Sequence, residues 1–385
     1  MSSPKKEQNR PLILDIGSNY FRMGWAGDDF PDIIAPSIFV EPMDFLFTSD
    51  EIMGLEEIFL NNISLKQLIG HDAARYQNIL KIHEFVKEQN YKMLTKFFNE
   101  YYYSLEISDD FRFKQPIIIL TPFYISELEK EKYKEVFLNY FGFPSLLFLS
   151  ESQAILATLQ KSSGVVINLG ESHTSIATIF HGFTNIMAKD IFPISGKDLT
   201  SYLLKLLLSK KGADESIYLD EIIAKEIKDK LSICVPNPEE EVKRVKEGFT
   251  KYDRIIDLPD GSKLKINKER ILLSEPLFDP KIIHIDYVSL AEAIVNVIKI
   301  WERENWEALV SNIILSGGAS LIPGLQKRLK NEIASFFSEM LIPKIEVVAA
   351  SGRENMGWIG ASILYSAGKL EKGWISSSER EINIE

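Results

Sequence analysis

The chain has 385 residues, 45% hydrophobic and 26% charged, with a formal net charge of −11. That length exceeds one simple core and implies two domains or two interleaved halves, while the acidic surface repels phosphate backbones and anionic lipid and argues against general nucleic-acid binding or membrane insertion, leaving only a local pocket for a small anion. The one cysteine, Cys234, rules out an intrachain disulfide and fits a reducing compartment, and the five scattered histidines have no metal-ligand spacing.

In chain order, residues 1–10 (MSSPKKEQNR) read as a flexible polar tail without the apolar stretch of a signal peptide. No apolar run approaches a membrane span, so a cytoplasmic protein is expected. LILDIG and YFRMGWAG read as two strands around a turn. Residues 37–67 mix SIFV, FLF and EIFL with acids and do not resolve into elements. VKEQNYKMLTKFFNEYYY has helical spacing, QPIIILTP is a buried strand between prolines, and SELEKEKYKEVFLNYFG is a helix stopped by Gly142. PSLLFLSES leads into the helix QAILATLQK.

GVVINLG opens a second half. SGKDLTSYLLKLLLSKKG reads as a helix ending at Gly212, and LDEIIAKEIKDKLSICV as another. PNPEEEVKRVKEG reads as a solvated charged connector, and RIIDLPDGSKLKIN as a hairpin across Pro259-Asp260-Gly261. SLAEAIVNVIKIWERE is an amphipathic helix; SNIILSGGASLIPGLQKRLKNEI is strand, glycine turn, helix; IEVVAA is a strand; GWIGASILYSAG packs small residues at helical spacing. Strands alternate with helices in both halves, the signature of α/β layers.

One device occurs twice. DIGSNYFRMGWAGDD and NLGESHTSIATIFHG each place a polar side chain at the end of an apolar run, turn on a glycine and leave through a strand. Such a turn aims backbone N–H groups at one point and binds phosphate, and a Cβ on its glycine would block close approach. One such turn is usually only a hairpin; two matching turns point to a polyphosphate held by both. In SGGASLIPG, Gly317-Gly318 follows a strand, which admits a nucleoside close to the backbone; standing alone it would be a tight connection. There is no Walker A motif, since Gly196-Lys197 lacks the upstream glycine, and no GxGxxG. Asp15, at the end of the first run, suits a Mg2+ held through its waters. Asn168, its counterpart, accepts a hydrogen bond from a metal water but carries no charge, and also reads as a turn-stabilising residue.

Together these blocks resemble the actin and actin-related protein family nearly end to end. DIGSNYFRMGWAGDDFP, SESQAILA, NLGESHTSIATIFHG, ISGKDLTSYL, EIKDKL, LPDGSKLKINKER, SEPLFDP, LSGGASLIPG and WIGASIL follow in family order. The resemblance implies an α/β actin-like fold of two duplicated halves, four subdomains around a central nucleotide cleft. It divides the chain into subdomain 1 (1–36, 84–160, 356–385), subdomain 2 (37–83), subdomain 3 (161–194, 286–355) and subdomain 4 (195–285). It implies ATP or ADP with Mg2+, with Asp15, Gly17, Ser18, Asn19 and Arg22 at the first phosphate loop and Asp15 reaching the metal through water. Gln153 would orient the attacking water. Asn168, Gly170, Glu171 and Ser172 would form the second loop. Gly196, Lys225, Lys228, Asp229, Gly317, Gly318 and Leu321 would surround the nucleoside. Without the resemblance, the helix bearing Lys225, Lys228 and Asp229 reads as a solvated charged face with Glu221–Lys225 and Glu226–Lys230 pairs.

Departures shape the expected activity. Asn168 stands where the family has an aspartate. Asn19 replaces a glycine, as asparagine tolerates positive φ. Arg22 replaces a lysine, a different phosphate donor. Ser175 stands where the family has a histidine, with His173 two residues earlier on the same strand face. Leu321, Ile322 and Glu354 replace the usual contacts to the base. The expectation is a cytoskeletal protein that binds ATP as a switch, with slow or absent hydrolysis, working through actin-like subunits (its own or a paralogue's) and actin-regulating proteins. Ile282, Ile283 and Ile285 of KIIHIDYVSL serve either as an assembly plug or as a plain apolar connector. The altered 37–67 region and the ending WISSSEREINIE argue against free polymerisation. A self-polymerising actin-type ATPase is the alternative. A small-molecule kinase on the same core would need a base such as Asp28 or Asp29, which read better as a solvated turn. An Hsp70-type chaperone is disfavoured, with no substrate domain expected beyond residue 385.

Overall fold

Leu12, Ile13 and Leu14 are all buried, so β1 (Leu12–Ile16) carries apolar side chains to both faces of its sheet, as a central strand does. The computed structural model describes residues 10–45, 67–77, 79–105, 107, 112–211, 219–258 and 261–376. They divide into two compact units, Met1–Thr158 with Gly357–Glu385, and Leu159–Met356. The 46–66 part of the unplaced region, the N-terminal tail to residue 9, Gly212 and the residues after Ser376 lie outside the described residues.

In the first unit β1 pairs antiparallel with β2 (Tyr20–Trp25), which pairs antiparallel with β3 (Ile33–Pro36). β4 (Ile38–Phe45), β5 (Leu68–Ile69) and β6 (Leu80–Glu84) form a separate three-stranded sheet. On its other edge β1 pairs parallel with β7 (Ile117–Thr121), and β7 with β8 (Ser145–Ser150). The order is β3-β2-β1-β7-β8, with the C-terminal strand Ile375–Ser376 beyond β8. Period-two alternation feeds two cores. Leu12, Leu14, Ile117 and Ile119 face an aromatic cluster that includes Phe97, Phe98, Tyr102, Phe137 and Phe143, while Ile13, Ile118 and Leu120 face Trp358 and Ala154. The Trp358 indole donates to the Ile13 carbonyl at 3.2 Å. Gly360 lies against the Ala154 carbonyl, where a Cβ has no room.

The expected helix before Gly142 is helix Glu127–Lys134, opened by a Ser126–Glu129 capping box, then a wider π turn over Glu135–Tyr140. Phe141 N–H donates to Val136 O, and Val136, Phe137 and Leu138 enter the core. Gly142 stops it at φ +77.

The second unit repeats the plan. β9 (Gly164–Leu169), β10 (Thr174–Phe180) and β11 (Phe183–Phe192) form an antiparallel meander. β12 (Arg254–Asp257) and β13 (Lys263–Ile266) form the expected hairpin. β14 (Ile313–Ser316) pairs parallel with β9 and with β15 (Val347–Val348). The order β11-β10-β9-β14-β15 matches β3-β2-β1-β7-β8 strand for strand, in direction as well as position. The chain is thus an α/β fold of two duplicated halves, as the resemblance implies.

One expected connector is a helix. Pro238–Lys246 opens with proline and three glutamates and closes with Lys243, Arg244 and Lys246, charges that complement the helix dipole at both ends. Arg244 bonds Glu240 and Glu241, one turn earlier. A helix polar on nearly all sides lacks the apolar stripe by which helices are read from sequence.

Candidate functional site

The first turn, residues 17–19, joins β1 to β2. A Cβ on Gly17 would sit 2.8 Å from the Tyr20 carbonyl oxygen, so the glycine is required by space. Neither Gly17 nor Asn19 has a positive φ, which corrects the reason expected for Asn19. Ser37, fully buried, donates its hydroxyl to Gly17 O at 2.6 Å and its N–H to Asn19 O at 3.0 Å, tying the turn down. Asp15 and Arg22 face each other across the β1–β2 ladder, with Nη1 2.9 Å from Oδ2. Burial pushes the Asp15 carboxyl above its ordinary range, against the pull of Arg22. Gln153 lies half-buried in the first turn of helix Glu151–Ala157, which follows β8.

The second turn, residues 170–173, joins β9 to β10. Gly170 N–H donates to His173 O at 2.9 Å, and a Cβ on Gly170 would lie 2.7 Å from that oxygen. The same steric demand thus recurs at both turns. Gly196 N–H donates to Gly170 O and Lys197 N–H to Glu171 O, each at 2.9 Å. Lys228 in helix Glu221–Leu231 is 3% exposed; its Nζ lies 3.0 Å from Glu171 Oε2 and 2.9 Å from Gly196 O. Lys225 reaches only 3.9 Å from Glu171 Oε1, and Asp229 lies 3.9 Å from Lys228. Burial pushes the Asp229 carboxyl up, opposed by the two lysines. The fold therefore joins Glu171, Gly196, Lys225, Lys228 and Asp229. The solvated-face reading of this helix fails at Lys228, although Glu226–Lys230 does pair.

Asn168 stands opposite Ser175 in β10 and Ser316 in β14. Gly317, at φ +85, closes onto it: a Cβ there would collide with the Leu169 carbonyl and lie 2.5 Å from Asn168 Oδ1. Gly318 has open space where a Cβ would stand. Gly318–Leu321 is a 3-10 turn, and the helix expected straight after the glycines begins at Leu325, past Gly324. Leu321 is exposed and Ile322 is buried in the core. Arg353 braces the turn through Ser320 Oγ at 3.0 Å and Ser320 O at 2.8 Å, and its carbonyl accepts from Ser316 Oγ and Gly317 N–H. Glu354 Oε2 is buried without a hydrogen-bond partner. His173 lies in the turn, exposed, because β10 begins at Thr174, so it does not share a strand face with Ser175.

Three supports escaped the sequence reading: Ser37, Ser316 and Arg353. Ser37 and Arg353 act from positions distant along the chain, and only the alternation of the strands hinted at where Ser316, beside Gly317, points. Asp28, the base that a small-molecule kinase would need, is paired with Arg10 at 2.5 Å. Ile283 and Ile285 pack against the core and Ile282 is partly exposed.

Both turns suit phosphate: each glycine leaves no room for a side chain, and Arg22 supplies a cation at the first. The donor set suits a divalent ion only through water, with Asp15 the acid at the head of the first turn. Among the described residues no group of three or more His, Cys, Asp or Glu side chains is placed to hold a metal directly, and no helix is long and apolar enough to cross a membrane.

The family model described as Actin matches residues 6–382. A curated relative, an "Actin-like protein" of Neurospora crassa, is 27% identical over 380 residues, spanning 96% of this chain and 94% of the relative.

Proposed function

This chain belongs to the actin family, and from that premise we propose that it binds ATP with Mg2+ as a structural switch, with slow or absent hydrolysis. In this reading it acts through protein partners or within a filament, in the cytoplasm, and its two halves subdivide into the four subdomains set out above. The observation that carries the reading is the repeated turn. The same glycine, crowded by the carbonyl three residues on, follows the same central strand in both sheets. Such a turn, closed to side chains and presenting backbone N–H groups, suits the anionic oxygens of a phosphate chain.

Gly17, Ser18 and Asn19 with Arg22 would hold the phosphates at one turn, and Gly170, Glu171 and Ser172 at the other. The nucleoside would lie by Lys225, Asp229, Gly318 and Leu321. Lys228 and Gly196 set the position of the second turn, and Gly317 sets Asn168. Bound Mg2+ would neutralise phosphate charge, held through water by Asp15 and, more weakly, by the Asn168 amide. Gln153 would orient the attacking water. Slow turnover follows from two features: Asn168 supplies no charge, and Asp15 is already engaged by Arg22.

The test is calorimetry with ATP and ADP in the presence of Mg2+, followed by phosphate release measured beside pelleting. Binding with little phosphate release is expected. Failure of both nucleotides to bind the folded chain would overturn the proposal. A concentration-dependent polymer releasing phosphate at the rate of an ordinary actin would favour a self-assembling ATPase.

A further inference from the structure

A cavity of about 380 Å3 opens in the second unit between the end of helix Gly196–Lys211, the end of helix Pro238–Lys246 and the short helix Lys268–Leu272. No residue of the three glycine turns lines it. Its charge is lopsided: Lys210, Lys246 and Lys268 line it with the single carboxylate of Glu269. Glu269 is 1% exposed, and its Oε2 accepts from Lys210 Nζ at 3.0 Å and from Asn267 N–H at 2.9 Å. Its Oε1 is buried without a hydrogen-bond partner. Glu269 thus fixes Lys210 and offsets only one of the three positive charges.

Among the described residues neither Lys246 nor Lys268 has a carboxylate within ion-pair distance. That sets Lys246 apart on its own helix, where Arg244 pairs with Glu240 and Glu241 and Lys243 with Glu247. Interaction with the helix dipole accounts for basic residues in the last turns of two helices; it does not account for their meeting a third lysine around a cavity. The remaining wall includes Leu206, Val245 and Leu272. A volume of this order, with an apolar wall and a few convergent polar groups, is typical of small-molecule sites.

We propose that this cavity binds a small organic anion, a phosphate monoester on an apolar stem, with its charge at Lys246, Lys268 and the fixed Lys210 and its stem against Leu206, Val245 and Leu272. Charge-assisted hydrogen bonds from the lysines would supply the affinity, and the apolar wall the preference for a substituted phosphate. A free metabolite and a lipid headgroup share this chemistry.

The test uses the full chain, saturated with ADP to keep the probe off any nucleotide site. Phenyl phosphate and inorganic phosphate are titrated by calorimetry, and phosphatidylcholine vesicles with and without phosphatidic acid are sedimented with the protein. Phenyl phosphate is expected to bind at least about tenfold tighter than inorganic phosphate, and Lys246→Glu with Lys268→Glu to abolish binding while leaving ATP affinity unchanged. Lys243→Glu, on the same helix but off the cavity, should leave binding intact. Cosedimentation only with phosphatidic acid, lost in the double variant, would support the site with a lipid source. Absence of binding to both probes, equal affinity for the two phosphates, or binding indifferent to the lysine reversals would overturn it. Because the readout does not depend on ATP, its failure is distinct from failure of the nucleotide reading.

Discussion

Lys228 and Glu171 form an ion pair at 3.0 Å with side chains 4% and 14% exposed, and the same ammonium reaches the Gly196 carbonyl. The pair welds the second glycine turn to two helices. Its neighbour Lys225, 35% exposed, reaches Glu171 only at 3.9 Å. The two lysines look alike in sequence and differ in energetic weight.

Removing Lys228 therefore strands a largely buried carboxylate and a carbonyl. Lys228→Met is expected to cost about 3–5 kcal/mol. Lys225→Ala is expected to cost less than about 1 kcal/mol, the range of a solvent-screened pair. Urea unfolding of the two variants checks the contrast; equal losses would refute it.

At the first turn the corresponding pair is Asp15 and Arg22. Burial holds the Asp15 carboxyl above 3.8, and Arg22 opposes that rise. A carboxyl raised in the folded state favours folding when protonated, so its contribution to stability falls as pH climbs from the ordinary carboxylate range to the folded value. Arg22→Met removes the opposing cation, raises the folded value further and extends that window upward. The variant should be destabilised most near pH 7, by about 3–5 kcal/mol, and progressively less toward pH 4. Urea midpoints across that range measure it; a penalty constant with pH would contradict it.

How much of this was legible before the structure follows from how local each signal is. The two turns were, because an apolar run ending in a polar residue and a glycine is a short pattern. So were the strands on either side, whose burial leaves long runs of valine, isoleucine and leucine. Burial of Lys228 was not, because it depends on Glu171, far back in the chain. Nor was the reason for Gly17: the sequence suggests a glycine kept bare for close approach of phosphate oxygens, whereas the structure shows a requirement for space beside the turn's own Tyr20 O. Helix 238–246 was hidden by its polarity, and the π turn at 135–140 by an apolar pattern that suits an ordinary helix as well.

Gly317 sits at φ +85 against Leu169 O and Asn168 Oδ1. Gly317→Ala meets both a backbone conformation disfavoured for L-residues and a backbone atom that cannot swing away. A loss of about 2–4 kcal/mol is expected, with Asn168 displaced and nucleotide affinity reduced. Gly318→Ala, with open space at its Cβ, should cost less than about 1 kcal/mol. Thermal melts of the two glycine variants separate a steric requirement from a general loss of loop flexibility.

Glu275 offers a pH test away from the turns. Burial pushes its carboxyl up to about 7, with Glu332 adding to the rise and Arg328 opposing it. Oε1 is buried without a hydrogen-bond partner. The folded chain therefore prefers Glu275 protonated, and stability from this group is lost as pH rises from about 4.5 to about 7. Glu275→Gln keeps the shape without the charge, and Arg328 retains Glu332 at 2.7 Å and Val235 O at 2.7 Å. The variant should gain on the wild type across that interval by up to the order of 3 kcal/mol. Parallel pH profiles for the two proteins would show that Glu275 titrates normally.

The sharpest test of the functional reading is Asn168→Asp. The side chain stands at the head of the second turn, half-buried, between Ser175 and Ser316, with Oδ1 toward Gly317. A carboxylate in that position is desolvated, so without nucleotide the variant should be less stable than the wild type above the ordinary carboxylate range. With Mg2+ and ATP bound, the same charge gains metal waters to accept from. Two outcomes are expected together: a larger rise in melting temperature on adding Mg2+ and ATP than the wild type shows, and faster phosphate release, on the order of 10–100-fold. Both must depend on the divalent ion, which EDTA removes. If the variant gains neither ligand-dependent stability nor turnover, the amide at position 168 is not what slows the reaction, and the engagement of Asp15 by Arg22 becomes the feature to alter next.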